Sequence, residues 1–148
     1  MTVEKIETGA DNPVLRKKAK KIKSINSEIK ELISNMIDTA ESNDIIAGLA
    51  APQIGHSLQI IAVKFDLKKK PIILINPKIT KVFRRKTIME ESCMSLPGIS
   101  VPVERSYKII AEALDSEGNH VKIKAKGILA RIIQHEIDHL NGILIVDY

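Results

Sequence analysis

The segment QHEIDHLNG, residues 134–142, places two histidines four positions apart in a stretch whose apolar residues recur at helical spacing. Those apolar residues are Ile128, Leu129, Ile132, Ile133, Ile137 and Leu140. At ~100° per residue, His135 and His139 lie ~40° apart on a helix, and Glu136 lies on the flank nearer His139. Two imidazoles that converge beside a carboxylate are typical of a catalytic metal site.

The predicted helix runs from Gly127 to Asn141, and Gly142 is placed to end it, since glycine favours the left-handed conformation that follows many helices. Because apolar residues cover most of its sides, we expect this helix to be buried in the middle of the fold. Two histidines without a metal would hide polar nitrogens among isoleucines, which is unfavourable unless they are paired. A metal site is the favoured interpretation, and two core histidines are the alternative.

The chain after the second histidine offers little to complete such a site. Zincin metallopeptidases take a third ligand downstream, and their longest motif needs a histidine six residues after the second one, where this chain has Ile145. Between Leu140 and Tyr148, only Asp147 could donate an oxygen. The third ligand is therefore expected upstream.

Cys93 is the strongest upstream candidate for the third ligand. It is the only cysteine and lies in EESCMSLPG, residues 90–98, a polar, turn-rich stretch where a purely structural cysteine would be unusual. A thiolate with two imidazoles suits zinc or ferrous iron, and three protein ligands leave a position open for catalysis. The alternative is a buried, inert cysteine. His56 and His120 lie beside turn residues and are interpreted as surface histidines.

The rest of the chain is predicted to contain one further helix and a series of short strands. Apolar residues recur at helical spacing from Ile29 to Ala40, and Asn26 or Ser27 can cap this helix. Turn signals such as DLKKKP and SLPG separate the strands, and DSEGNH at 115–120 predicts a hairpin. The predicted strand segments are LQIIAVKF, PIILIN, KTIMEE, YKIIAEALD and HVKIKAK.

The length and composition of the chain exclude several classes of function. At 148 residues, one domain spanning 1–148 is expected. Only 3% of residues are aromatic, which argues against modules that stack nucleic-acid bases, and DNA is not an expected partner. The net charge of +5 permits a ribosome, nucleic-acid or anionic-lipid partner, but a solvated lysine-rich surface is the simpler interpretation. The chain has no apolar run of ~18 residues, so we expect a cytoplasmic protein without a membrane segment.

Three motifs stand together: GLAAPQIG at 48–55, ESCMS at 91–95 and QHEIDH at 134–139. In this order and spacing the chain resembles the peptide deformylase family, and its opening GADNPVLRKKAKKI is similar to the start of those enzymes. The resemblance implies an α+β fold in which small antiparallel sheets pack around a central metal-binding helix. It also implies removal of the formyl group from the N-terminal methionine of newly made proteins, the N-formylmethionyl nascent peptides.

The resemblance also implies roles for particular residues. Cys93, His135 and His139 carry over as metal ligands; the usual native metal is ferrous iron (Fe2+), and zinc (Zn2+) or nickel (Ni2+) can occupy the site. Glu136 carries over as the general acid and base. Gln53 corresponds to a glutamine that helps to hold the formyl oxygen. Met94 stands where the family has leucine, but the role there belongs to the backbone N–H.

The roles of several other residues stay open. Gly48 is a candidate substrate-binding residue, glycine either because the substrate backbone approaches closely or because the chain turns there. Arg105 and Asp138 either orient a ligand histidine or are surface charges. Gln53 could instead be a turn residue that only ties down the loop at 52–55.

Three features depart from the family pattern. Ile46 stands where the pattern has glycine, and a β-branched residue would be strained there if the position required a positive φ. Ser92 replaces a glycine, and the chain stops at VDY without the extended C-terminal helix that some members use at the ribosome. A transient ribosome contact by that route is therefore in question. None of the three removes a predicted ligand, and we expect an active enzyme.

Two alternative functions remain. The HEIDH motif alone also permits a small metallopeptidase that cleaves ordinary peptide bonds. Ile46 and Ser92 would also be compatible with an inactive, metal-binding relative that binds nascent peptides. Cleavage of internal peptide bonds would indicate the first, and inhibitor binding without turnover would indicate the second.

Overall fold

The computed structural model describes residues 2–148. The helices are α1 (Pro13–Arg16), α2 (Ser27–Glu41) and α3 (Ile128–Leu140), with 3-10 turns at Ala51–Ile54 and Ile145–Asp147. The strands are β1 (Gly48–Ala50), β2 (Ile60–Val63), β3 (Ile72–Val82), β4 (Lys86–Cys93), β5 (Leu96–Ser106), β6 (Lys108–Leu114) and β7 (His120–Lys126).

The strands form two antiparallel sheets. The larger sheet has five strands in the order β1-β2-β3-β6-β7, and β4 and β5 form a separate two-stranded hairpin. Between them lies α3, which contacts β1, β2, β3 and β7 of the large sheet and β5 of the hairpin. The predicted α+β fold, with small antiparallel sheets around a central helix, is confirmed.

Both long helices begin and end where the sequence predicted. Asn26 caps α2 by accepting a hydrogen bond from Ile29 N at 3.0 Å. Helix α3 ends at Leu140, and Gly142 follows with a φ of 72°. A side chain at Gly142 would also collide with the carbonyl group of Arg16, so both the positive φ and this close contact require glycine.

The inner face of the large sheet and α3 share an aliphatic core. Strands β6 and β7 alternate between buried and exposed residues, and their buried side chains include Ile109, Ala111 and Ala125. These pack with Ala130 and Ile133 of α3, both 0% exposed. Because α3 is fixed against this core, the polar residues on its other sides are held in defined positions.

Strand β5 is the main difference from the sequence prediction. The segment SLPG was predicted as a turn between strands, but the turn occupies only residues 94–95, and β5 runs from Leu96 to Ser106 through two prolines. Proline is tolerated on an unpaired strand edge, and each strand of a two-stranded ribbon has one. The DLKKKP and DSEGNH turns are confirmed.

Within residues 2–148, no helix is both long enough and apolar enough to cross a membrane.

Candidate metal centre

Cys93, His135 and His139 meet where the hairpin β4–β5 packs against α3. Cys93 is the last residue of β4, and the two histidines are one helical turn apart on α3. One potential ligand atom from each residue lies within 4.8 Å of the other two. The closest approach, 3.4 Å, joins Cys93 Sγ to His139 Nε2. The structure thus places the three predicted ligands around one point.

The donor set fits a zinc or ferrous ion. A thiolate and two imidazoles suit both ions, and three protein ligands leave room for water or substrate. His135 Nδ1 lies 2.9 Å from Glu91 Oε1, which leaves its Nε2 available as a ligand. Glu136 Oε1 is buried and has no hydrogen-bond partner among residues 2–148. Burying an oxygen without a hydrogen-bond partner costs free energy, so a polar ligand or a water molecule beside Glu136 fits the site.

Glu91 is the centre of a buried ionic network behind the three ligands. Its Oε1 accepts hydrogen bonds from His135 Nδ1 and from Arg105 Nη2, both at 2.9 Å. Its Oε2 accepts from Arg105 Nε at 2.6 Å and from Arg131 Nη1 at 2.5 Å. The carboxylate therefore fixes the ring orientation of His135, as outer partners of metal ligands commonly do.

Arg105 extends this network to the end of α3. Its Nη1 donates to Asp138 Oδ2 at 2.8 Å, and Tyr148 Oη donates to the same oxygen at 2.5 Å. The guanidinium also lies 5.1 Å from the centre of the Tyr148 ring, a cation–π contact. Arg105 and Asp138, whose roles the sequence left open, are joined in a largely buried ion pair and are not free surface charges.

The network changes the protonation of its members. Burial alone would raise the pKa of Glu91, but hydrogen bonds from His135 and the two arginines outweigh it and lower this pKa to about 2. Burial alone would lower the pKa of His135, but hydrogen bonds with Cys93 and Glu91 raise it to about 10 when no metal is bound. A metal ion must displace that proton, so its affinity should rise with pH.

Glu136 and His139 respond mainly to burial. Loss of hydration raises the pKa of Glu136 to about 7, against the opposing charges of His135 and Arg105. Loss of hydration also lowers the pKa of His139 to about 3. A neutral imidazole keeps a lone pair for a metal. A carboxyl group whose pKa lies near neutrality can both take up and release a proton.

Gln53 is held with its amide nitrogen directed toward the cluster. It lies in the 3-10 turn after β1 and is 3% exposed. Its Oε1 accepts a hydrogen bond from Ala50 N at 2.9 Å, which fixes the amide because only the oxygen can accept. Its Nε2 donates to Ser95 Oγ at 3.1 Å and lies 3.6 Å from Cys93 Sγ. Gln53 therefore presents a donor to the site.

Gly48 is glycine because Glu136 packs directly against it. A Cβ atom at Gly48 would lie 2.6 Å from Glu136 Oε2 and 2.9 Å from its Cγ. The φ of Gly48 is not in the left-handed region, so the explanation that the chain turns there is wrong. The close approach that requires glycine comes from the carboxylate itself.

A cavity of about 480 Å³ opens beside the three ligands. Its walls include residues 45–48, which lead into β1, and residues 96–99, which begin β5. His135, Glu136 and Met94 also line it, and Met94 lies in the hairpin turn next to Cys93. This volume is within the usual range for small-ligand sites, about 300–1,000 Å³. His56 and His120 are exposed and lie outside the cavity.

Glu91, Arg131 and Ser95 are site residues that the sequence interpretation missed. Glu91 precedes Cys93 by two positions in one strand, so both side chains share a face of the hairpin. Arg131 precedes His135 by one helical turn. These spacings could have indicated both residues, whereas Ser95 carries no comparable signal.

Comparison with known proteins agrees with this geometry. The family model described as polypeptide deformylase matches residues 3–148. The chain belongs to the polypeptide deformylase family. The peptide deformylase of Dictyoglomus thermophilum is 46% identical over 136 residues, which are 92% of this chain and 86% of that protein.

Solved deformylase structures share the fold. The peptide deformylase from Legionella pneumophila superposes with a TM-score of 0.92 at 38% identity, covering 99% of this chain and 85% of that one. The enzyme from Synechococcus elongatus, solved in complex with actinonin, gives a TM-score of 0.90 at 38% identity, with 97% and 77% covered. The predicted family, a family of metal-dependent hydrolases, is thus confirmed.

The departures from the deformylase pattern fit the backbone without strain. Ile46 is 4% exposed and packs in the core beside α2. Among the described non-glycine residues, only Asn76 has a positive φ, so the strain anticipated at Ile46 is absent. Ser92 is exposed at the end of β4. Neither residue displaces a predicted ligand.

Proposed function

We propose that this protein is a peptide deformylase that removes the formyl group from the N-terminal formyl-methionine of newly synthesised proteins. The observation that carries the proposal is a buried glutamate, Glu136, beside a thiol and two imidazoles at an open cavity. Membership of the family and similarity to named deformylases support the same reaction.

Cys93, His135 and His139 would hold the metal ion, with Fe2+ as the proposed native metal and Zn2+ or Ni2+ as possible occupants. When bound, the ion supplies a Lewis acid that polarises a carbonyl oxygen and makes water a better nucleophile at neutral pH. Glu91 would keep His135 oriented for this role through the bond to Nδ1.

Glu136 would move the protons of the reaction. Its carboxylate takes a proton from the water that attacks the formyl carbon, and the same group later gives a proton to the departing amine. Burial raises its pKa to about 7 in the metal-free protein, and general acid–base catalysis is most effective when the pKa lies near the working pH. Its position against Gly48 limits how far the carboxylate can move.

Gln53 and the backbone N–H of Met94 would stabilise the negative charge that develops on the formyl oxygen. The amide of Gln53 is already oriented by Ala50 N, so it need not reorganise during the reaction. Loss of one such donor typically costs about 3–4 kcal/mol of transition-state stabilisation. Gly48, which lines the cavity, would let the substrate backbone lie close to these groups.

The partners follow from the substrate. N-formylmethionyl nascent peptides would bind in the cavity, where Ile46, Leu96 and Ile132 offer apolar contacts to a methionine side chain. A cytoplasmic location and a transient contact with the ribosome belong to the same proposal, because formylated chains are made there.

The test is formate release from a formyl-Met-Ala-Ser peptide by ferrous-loaded protein under anaerobic conditions. We expect Glu136→Ala to lower the rate by about 10²- to 10⁴-fold, because the general acid and base is lost. Glu90→Ala is the matched control, since Glu90 is exposed on the same hairpin and is absent from the cavity lining. Metal analysis of each variant checks that the site remains loaded.

Other outcomes would identify a different function. Equal cleavage of acetylated or internal peptides would indicate a metallopeptidase. Tight binding of actinonin with no formate release above the Glu136→Ala background would indicate an inactive relative. Either result overturns the proposal.

A further inference from the structure

The outer face of the large sheet, opposite α3, carries an array of lysines. We call this surface the lysine face, and it consists of Lys78 and Lys81 on β3, Lys108 on β6, and Lys122, Lys124 and Lys126 on β7. All six are exposed, while the residues that alternate with them on β7 are partly or fully buried toward α3. Strand alternation therefore separates an apolar inner face from a cationic outer one.

Strand register concentrates positive charge on the lysine face. Lys108 stands directly opposite Lys126, and like charges in this position are destabilising. The one carboxylate in the array is Glu112, which stands opposite both Lys78 and Lys122. Glu112 forms its ion pair with His120, and none of the six lysines is ion-paired among residues 2–148. The face thus carries six lysines against a single carboxylate, and most of its positive charge is not offset.

The lysines of β7 form a regular row. Lys122, Lys124 and Lys126 point the same way at intervals of about 6.7 Å along β7, and neighbouring strands are about 4.8 Å apart. At one edge, the Nζ atoms of Lys81 and Lys108 lie 4.7 and 4.6 Å from the centre of the Phe83 ring. Cation–π contacts with this ring hold the two ammonium groups in position. A surface of this kind matches a ligand with many negative charges at regular intervals.

We propose that the lysine face is a docking surface for the phosphate backbone of RNA. Ile110, which lies between the lysines, is only partly exposed, so the face offers little apolar side chain to insert among lipids, and attraction to anionic lipid would be electrostatic alone. A phosphate backbone needs only an array of cations, which bind it by releasing condensed counterions. The choice of RNA rests on the proposed function, because nascent chains emerge from a particle built largely of RNA.

Docking would leave the catalytic cavity accessible. The lysine face and α3 lie on opposite sides of the large sheet, and none of the six lysines lines the cavity. The protein could therefore hold RNA and a formylated peptide at the same time. The role of the surface would be to raise the concentration of the enzyme near its substrate.

The test compares two triple variants of equal charge change. Lys122→Ala, Lys124→Ala and Lys126→Ala together remove the β7 row, and Lys68→Ala, Lys69→Ala and Lys70→Ala together remove a basic loop elsewhere. Binding of a fluorescein-labelled RNA hairpin is followed by anisotropy between about 50 and 200 mM potassium chloride. We expect the β7 triple to bind at least about tenfold more weakly, with a salt slope smaller by about 2–3, since each phosphate contact contributes about 0.7–0.9. The control triple should bind within about twofold of the unmodified protein.

Three results would overturn the docking proposal: no RNA binding by the unmodified protein, equal losses in both triples, or a loss confined to anionic phosphatidylserine vesicles. Circular dichroism of both triples shows whether the fold is intact. Deformylation of a free formyl peptide should be the same in both triples, because neither set lines the cavity. If RNA binding follows the expected pattern but no variant releases formate, the docking surface stands and the proposed function fails.

Discussion

The two sides of α3 are held in different ways. Toward the large sheet, Ala130, Ile133 and Leu140 pack against aliphatic side chains. Toward the hairpin, Arg131 and His135 bind the buried carboxylate of Glu91. The apolar contacts position the helix as a whole, whereas the ionic contacts position an individual ligand nitrogen. A substitution on the sheet side of α3 should therefore change the stability of the protein without changing metal binding. A substitution on the hairpin side should change both.

The largest effect should come from Glu91→Gln. The substitution leaves Arg105 and Arg131 buried beside a neutral group, and breaking a buried ion pair in this way costs about 3–5 kcal/mol. His135 also loses its charged partner, so metal affinity should fall by about 10- to 100-fold. Urea unfolding and chelator competition measure the two effects.

Ile133→Val is the matched substitution on the apolar side. It should cost about 0.5–1.5 kcal/mol of stability, because it removes one buried methylene. Metal affinity should stay within about twofold of the unmodified protein. If both variants lose metal affinity in proportion to their stability, the two sides of α3 do not differ as the contacts indicate.

Gly48→Ala should lower activity with little effect on the fold. The new Cβ atom must displace Glu136, and misplacement of a catalytic group by about 1 Å can cost about 100-fold in rate. Steady-state kinetics should show the loss in kcat, while metal content is retained. A variant with unchanged kcat would mean that the Glu136 carboxylate is free to work from another position.

A further prediction concerns the pH dependence of stability. The pKa of Glu91 is about 2 in the folded protein, below its ordinary value of 4.5, so folding favours the ionised form. Its contribution to stability is complete above about pH 4.5 and is lost as the pH falls toward about 2. The stability difference between the unmodified protein and Glu91→Gln should therefore shrink as the pH falls from about 4.5 to about 2. Urea titrations measure this difference, and a chelator in every sample excludes an effect of metal release. A stability difference that does not change with pH would contradict the assigned network.

The smallest effect should come from Tyr148→Phe. It removes the hydroxyl that donates to Asp138 and keeps the ring over Arg105. Loss of one partly exposed hydrogen bond costs about 0.5–1.5 kcal/mol, and activity should fall by only a few-fold. Tyr107→Phe is the control, because the Tyr107 ring lies against Arg85, and its hydroxyl is not among the partners of Asp138 or Arg105 within residues 2–148. Equal effects in both variants would remove Tyr148 from the network.

Local periodicity was enough to predict α3 and its histidines. Helical spacing fixes which side chains share a face, so the relation of His135 to His139 needs no knowledge of the remaining fold. The approach of Cys93 depends on how the hairpin packs on α3, and the sequence indicated it only by exclusion and by resemblance. The spacing of Glu91 to Cys93 indicates a shared strand face, but the hydrogen bond of Glu91 to His135 appears only when β4 and α3 meet.

Strand β5 and the lysine face show where local patterns fail. Pro97 and Gly98 led to the prediction of a turn at SLPG, residues 95–98, but an unpaired strand edge tolerates proline, and β5 runs through both Pro97 and Pro102. The lysines of the face are separated by apolar residues and spread over three strands, so no charge run appears in the sequence. Only the register of the sheet brings them together.

The contacts of Arg16 have a consequence for biosynthesis. Arg16 binds the side chain of Asp147, 131 positions later, and its backbone lies against Gly142. Contacts between such distant positions form slowly and cannot form before both partners have been translated. The N-terminal segment can pair with residues 53–59 earlier, but Arg16 cannot make these two contacts until residues 142–147 have been translated. An enzyme proposed to trim emerging chains would therefore be unable to act on its own N-terminus until its second histidine, His139, and the segment that binds Arg16 have been made.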